Sequence, residues 1–524
     1  MERTEFTKDD SLIIKGLAIL AIMLHNFFRW VEPTTGENEF GFSANCISNF
    51  ANLIASEPQE FINIIFSYLG HYGVQLFILI SGYGLTKSML GKPQCWTAFM
   101  GNRLKKLYPL LLVAIASFFA FNLAFGYDVP DHFERETAYK LLLIHTLHPY
   151  SGLTMCGPWW FFGLIVQLYI LFPVLLSLTQ RHGTKILAFA TAISYMWILL
   201  ALFFYDHDAG SSMAMQNAPG HLPEFCFGIW LALRRDTCLN RWWLLPALAA
   251  FVLGNFFEAF YPFTFLAVSM IFVIGYNHAK SFIVRHSTLE RTLIFVGSIS
   301  MFLFAVHGFI RQPFIDFTES HGNAAISLLT ALAYMAAAIA FSMIIKPLYK
   351  LLIWLLNKFR IPEIVFKADK FFMAATLLLL ATISAFHATS LIQKHLEFDK
   401  NILTEQYSFK TENTIEPDTL YSDILHIRFK RSGLIKITID AEIDTETVDN
   451  DSIPLLVTEI ENLFWDNFIM PQTEGFQSVH FEKNIYCSFF DHRKTKYLKL
   501  YFWNRRKSAM QFRNAKVKID YQKW

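Results

Sequence analysis

Eleven apolar stretches follow one another between Leu12 and Leu391. Most approach the roughly 20 residues that a helix needs to cross a hydrocarbon core about 30 Å thick. They run Leu12–Trp30, Phe61–Met89, Leu107–Phe125, Trp159–Leu178, Ile186–Phe204, Leu222–Leu233, Trp242–Phe257, Phe263–Tyr276, Leu293–Ile315, Ala324–Ile345 and Phe371–Leu391. A water-soluble core cannot hide so much apolar surface, whereas helices in a bilayer satisfy both these side chains and their own backbone. Composition agrees, with 54% hydrophobic and 17% charged residues against roughly a quarter charged in a soluble domain. A net charge of +2 gives no reason to expect nucleic acid as a partner. The six cysteines contain no CxxC pair, so neither a disulfide framework nor a metal site is expected.

Charged residues are sparse up to about Leu391 and frequent beyond Lys394. The expected organisation is therefore a membrane core over 1–350, a linker and extra transmembrane helix over 351–393, and a β-rich domain over 394–524. Alternating segments such as Ile424–Phe429, Ile435–Ile439, Tyr497–Phe502 and Val517–Tyr521 predict strands of a small antiparallel sandwich. Ala138–His148 reads as an extra helix lying outside the membrane or re-entering it. Lys and Arg cluster in alternate short loops, which puts the N-terminus in the cytoplasm and the C-terminal domain outside. The fold class expected is an all-α polytopic membrane bundle of about 11 transmembrane helices with a small C-terminal β-sandwich-like exterior domain.

Few polar groups interrupt the spans. In the first, His25 stands ten residues beyond Lys15, about 15 Å along a helix. Lys15 can reach the cytoplasmic interface while His25 lies at or past mid-membrane. An ionisable group at that depth points to function, and neutral imidazole can take a proton from a hydroxyl; the alternative is a His satisfied by a neighbouring helix. His307 ends the ninth span and can pair with His25 or bond a helix. Arg103 and Lys106 lie one turn apart at the entry to the third span, where they can hold a phosphate or serve as a positive-inside anchor. His221 and Glu224 sit at the outer end of the sixth span, where a carboxylate can orient a His or remain solvated. Trp159, Trp160 and Tyr169 read as interfacial anchors and packing residues. Cys46 and Cys156 both fall on expected exterior segments, and their pairing is left open.

Five stretches in order resemble the membrane acyltransferase-3 family. They are Lys15-Gly through His25, Gly73-Val-Gln-Leu-Phe-Ile-Leu-Ile-Ser-Gly82-Tyr, Arg103-x-x-Lys106-Leu-Tyr-Pro109, Pro158-Trp-Trp-Phe through Gln167-x-Tyr169-x-x-Phe172-Pro173, and Gly297-x-x-Ser300-x-x-Leu303 through His307. The resemblance covers about 10–350. It implies a ten-helix core that moves an acyl group, acetyl by default, from cytoplasmic acyl-CoA (acetyl-CoA) to a hydroxyl of a cell-envelope glycan or lipid-linked sugar. It implies the bacterial inner membrane as the location. His25 resembles the family's essential His, and Lys15, Arg103 and Lys106 its cationic positions for coenzyme A; Glu224 or His307 would orient His25 or the sugar. Lys106 stands where the family has Arg, which removes a bidentate fork but keeps the charge. Nine residues separate Lys15 from His25 where ten is common, a difference of about 100° around a helix, so the facing of Lys15 is open.

Two other readings compete. A proton-coupled transporter or exporter of a small acid or lipid would use the same intramembrane His and Lys as a relay. A catalytically silent protein would act through its exterior domain as a glycan-binding module, with Trp465, Tyr486 and Trp503 as stacking candidates.

Overall fold

The computed structural model describes residues 5–358 apart from 128–132, 149–150, 206–213, 235 and 322, then 373–378, and most of 402–522 between short gaps. The chain forms two compact units, Met1–Ser384 and Ala385–Trp524.

The first unit is helical. Helix α1 (Lys8–Phe28) starts with a capping box in which the Thr7 hydroxyl accepts from the Asp10 N–H and the Thr7 N–H donates to the Asp10 carboxylate. α2 is Ala44–Ser56, α3 Phe61–Leu69 and α4 Gly73–Gly91, with a 3-10 turn at Gly70–Tyr72 between the last two. α5 is Trp96–Phe125 and α6 Phe133–Leu141. α7 (Trp160–His182), α8 (Lys185–Tyr205) and α9 (Ala218–Leu233) follow. The remainder are α10 (Leu244–Phe256), α11 (Thr264–Arg285), α12 (Ser287–Ser298), α13 (Ser300–Ile310), α14 (Gln312–His321) and α15 (Ala324–Lys358).

Seven of the described helical segments are long and apolar enough to cross a bilayer, or eight if the α12–α13 pair is one span. The expected count of eleven is therefore not reached among the described residues, for three reasons. Leu222–Leu233 and Trp242–Phe257 fall on α9 and α10, which are helices of only 16 and 13 residues, about 24 and 20 Å long. The stretch Leu293–Ile315 is not straight: it bends by 75° between α12 and α13, and Arg311 separates α13 from α14. Phe371–Leu391 lies mostly outside the described residues. The segment Ala138–His148 is the end of α6 followed by a 3-10 turn at His145–Leu147, and it buries Glu136, Lys140 and His145. Cys46 and Cys156 are both free thiols.

α1 is buried on most of its circumference, from Ile13 and Ile14 to Phe27 and Phe28. Two glycines make that central position possible. A Cβ on Gly16 would collide with the Leu293 carbonyl of α12, and one on Gly297 would collide with the Leu12 carbonyl of α1. The backbones thus touch directly, as small residues allow between membrane helices. Gly82 of α4 and Gly228 of α9 form a second reciprocal notch, facing Phe225 and Leu79. At its start α1 is held by Asp10, which accepts from Tyr276 (2.6 Å) and Lys280 (2.7 Å) of α11.

The second unit is β, as the alternating segments predict. Its strands are β1 (Ile402–Phe409), β2 (Asn413–Ile415), β3 (Tyr421–Phe429), β4 (Gly433–Asp444), β5 (Leu455–Ile460), β6 (Phe464–Phe468), β7 (Gln477–Cys487), β8 (Lys496–Trp503) and β9 (Met510–Gln522). They pair antiparallel into two sheets, β1-β9-β4-β7 with β2 on β9, and β3-β8-β5-β6. Ile435, Ile437 and Ile439 are buried at period two, as are Leu498, Leu500 and Phe502. The rings of Phe502 and Phe512, one from each sheet, lie 4.8 Å apart, so the sheets share a core. The side chains of Trp465 and Tyr486 lie outside the described residues.

Gly297→Val should lower thermal stability in detergent by the equivalent of about 1–3 kcal/mol or more, the usual cost of forced overpacking. Gly84→Val, at a position with open space around it, should be near neutral in the same melting assay. Equal melting temperatures for the two variants would show that the α1–α12 contact does not constrain the bundle.

Candidate active site

The last turn of α1 delivers His25 to a buried polar cluster, with the residue 1% exposed. α3 and its 3-10 turn close one side, because Gly70 leaves room for the His25 Cβ. The His25 Nδ1 lies 3.1 Å from the Phe66 carbonyl. Its Nε2 lies 2.6 Å from Oε2 of Glu37, whose Oε1 is 2.7 Å from Nη2 of Arg29. Arg29 follows His25 by four residues, so one carboxylate spans two cationic side chains on the same helix face.

Both nitrogens of His25 therefore face acceptors. A carbonyl and an ionised carboxylate both accept. The Nε2 contact is close yet out of line for a hydrogen bond. Burial by itself would raise the Glu37 carboxyl, but Arg29 and His25 override it and hold the group well below the usual carboxylate range. Glu39 responds oppositely: burial, then the charge of Glu37, pushes it up to about 8. The donor atoms of His25, Glu37 and Glu39 lie within 4.8 Å of one another, close enough to share a small cation. Here the cationic neighbours of Glu37 are Arg29 and His25.

Two more imidazoles approach. His71, on the 3-10 turn, has its ring centroid 5.5 Å from that of His25, and neither of its nitrogens finds a hydrogen-bond partner. His307 donates from Nδ1 to the Leu303 and Phe304 carbonyls, both at 3.0 Å. That leaves its Nε2 as a bare lone pair, buried and unpartnered. His307 is thus tied to its own helix and within electrostatic reach of His25, not bonded to it.

Glu224 occupies a different place from the one expected of an orienting group for His25. It is fully buried and lies 2.7 Å from Nδ1 of His221, whose Nε2 donates to the Met215 carbonyl at 2.6 Å. The His221 ring stacks on Trp160 and contacts Phe265. A ring chain of Phe265, Tyr72 and His71 stands between this pair and His25. Glu224 therefore orients His221.

At the other end of α1, Lys15 is half-buried and within electrostatic reach of Arg103. Arg103 lies over the rings of Phe99 and Tyr169, and its Nε is buried without a partner. Tyr169, expected as a packing residue, thus supports a cation. Lys15 and Arg103 are both half-buried, whereas Lys106 lies at the surface.

Arg29, Glu37, Glu39 and His71 escaped the sequence reading. Glu37 and Glu39 belong to a loop that reads as merely acidic. One signal was available: Arg29 lies one turn beyond His25 on the same helix face.

The acyltransferase-3 family model, described as an acyltransferase domain, matches residues 12–346. No curated protein and no solved structure matches the chain. The matched region is well over half the chain and includes Lys15, His25, Arg29, Glu37, Glu39 and Arg103. This chain belongs to the acyltransferase-3 family.

Proposed function

We propose that this membrane acyltransferase takes an acyl group, acetyl by default, from cytoplasmic acyl-CoA and places it on a hydroxyl of a glycan at the outer face of a bacterial inner membrane. The carrying observation is that one buried helix carries Lys15 near its start, within electrostatic reach of Arg103, and His25 in its last turn. About 15 Å of helix rise separates the two positions. The two cations suit the phosphates of coenzyme A, and the pantetheine arm would run along the bundle towards His25. In this reading the N-terminus is cytoplasmic, and the His25 end and the β unit face outward.

In the proposed step, Nε2 of His25 is the base, since Nδ1 faces a carbonyl. The neutral ring removes the acceptor's hydroxyl proton, and the oxygen attacks the thioester carbon. The tetrahedral intermediate expels the coenzyme A thiolate, which takes the proton back from His25. The reactive form of the pair in this reading is a neutral His25 ring with Nε2 unprotonated. The acceptor hydroxyl then occupies the place beside Nε2 that Glu37 now holds, while Glu37 remains on Arg29. Its negative charge stabilises the imidazolium as it forms, the part a carboxylate plays beside a catalytic His.

His25→Ala should lower transfer of labelled acetyl from acetyl-CoA to envelope glycans in isolated membranes by about 100-fold or more, the usual worth of a general base. Unchanged activity in well-inserted protein would remove the role. Arg103→Ala should raise KM for acyl-CoA several-fold with KM for the acceptor unchanged; a defect confined to the acceptor would contradict the assignment. Glu39 favours its protonated form in the fold, so the stability it confers is complete below its ordinary value of 4.5 and is lost as pH rises to about 8. The melting temperature of Glu39→Gln relative to the natural protein should accordingly climb between pH 5 and pH 8 and level off above. A difference independent of pH would place Glu39 outside the coupled cluster.

A further inference from the structure

At the His25 end, among the described residues, one of two guanidinium groups has no carboxylate bound to it. Arg29 is paired with Glu37. Arg311, at the junction of α13 and α14, makes its hydrogen bonds to neutral groups: Nη1 donates to the backbone carbonyl and to the side-chain oxygen of Asn26, both at 2.9 Å. Its Nε is buried and unpartnered, and among the described residues no carboxylate forms an ion pair with it. Asp316, the acid nearest to it in sequence, is bound instead by Tyr127 (2.8 Å) and Gln312 (2.8 Å). The Trp30 ring has Arg29 5.6 Å from its centroid and Arg311 5.4 Å from it. Burying part of a guanidinium without an anion is costly, and a guanidinium with free N–H groups is a fork for phosphate or carboxylate.

The surroundings choose between those anions. Arg311 leads directly into α14, and from Pro313 onward that helix faces α15 across an open apolar furrow of about 570 Å³. Pro313, Phe314 and Phe317 form one bank, and Ile326, Leu329 and Ala333 the other. Phe317 and Leu329 are 51% and 66% exposed. The furrow's inner wall adjoins the active site, since the Phe314 ring packs on Tyr334, which stacks on Phe27 and donates to the His307 carbonyl. A cationic group one residue from His25, through Asn26, therefore stands at the head of a slot for hydrocarbon.

We propose that Arg311, with Arg29, binds the phosphate of a lipid-linked acceptor whose hydrocarbon chain lies in the furrow between α14 and α15, so that the acceptor's own lipid phosphate presents its glycan to His25. The identity of the bound lipid as acceptor rests on the acyltransferase mechanism above; its binding does not, and is measured without acyl transfer.

The test is binding of a long-chain polyprenyl phosphate to the purified full-length protein in detergent, beside the same polyprenol without phosphate and beside inorganic phosphate. The phosphorylated lipid should bind more tightly than either fragment. Arg311→Gln should weaken it by about tenfold or more, as loss of a charge-assisted fork does, and Arg311→Lys by less. Ala333→Phe, which fills the furrow from an exposed position on α15, should also weaken it while the melting temperature stays unchanged. Equal binding of the polyprenol would remove the arginines from the site, and equal binding of inorganic phosphate would remove the lipid. Unchanged affinity in both Arg311→Gln and Ala333→Phe would overturn the proposal outright. The expected order of binding without any acyl transfer would count against the reaction assigned to His25, not against this site.

Discussion

One buried carboxylate organises the reacting end of this molecule. Glu37 has no apolar reason to be inside; it stays there, ionised, because Arg29 and His25 meet its two oxygens. Removing one member of such a buried pair typically costs about 3–5 kcal/mol, since it leaves the other charge uncompensated. The same contact folds the loop after α1 back over the end of that helix. Glu39 beside it remains neutral for the same reason that Glu37 is charged: one pair of cations can hold one carboxylate, and the second pays for the first.

That cluster works only because α1 lies at the centre of the bundle. A helix bearing Lys15 at one end and His25 at the other would face lipid if its neighbours stood at ordinary spacing on one side only. Gly16 and Gly297 let α1 and α12 meet backbone to backbone, and Asp10 fastens the start of α1 to α11. The depth of the two functional ends is then set by helix rise alone.

The two ends differ in how they hold charge. Around Lys15 and Arg103 the flanking groups are aromatic, Phe99 and Tyr169, so the anion must come from a ligand. Around His25 a carboxylate is built in, yet Arg311 is left over. The break between α12 and α13 and the junction at Arg311 are what bring α13 and α14 to this end. An uninterrupted helix across Leu293–Ile315 could not supply His307 inside the bundle, Arg311 on Asn26 and the apolar bank of α14 together.

By itself the sequence determined that the first part of the chain lies in a membrane, that a β unit follows, and that His25 is an ionisable group at a depth where few are tolerated. Those properties are local: run length, alternation at period two, and a position counted along one helix. Lys15 and Arg103 were also visible, as residues, but the two rings that flank Arg103 were not, because Tyr169 comes from a different helix. Glu37, Glu39, His71 and Arg311 were invisible for a related reason. Each lies in a loop, a turn or a helix junction, where no periodicity marks the inward face, and each gains its meaning from a partner on another element. The sequence already set Glu224 beside His221, three residues apart at one helix end, whereas only the tertiary structure assigned Glu37, from a loop, to His25, because packing alone turns that loop back over the helix.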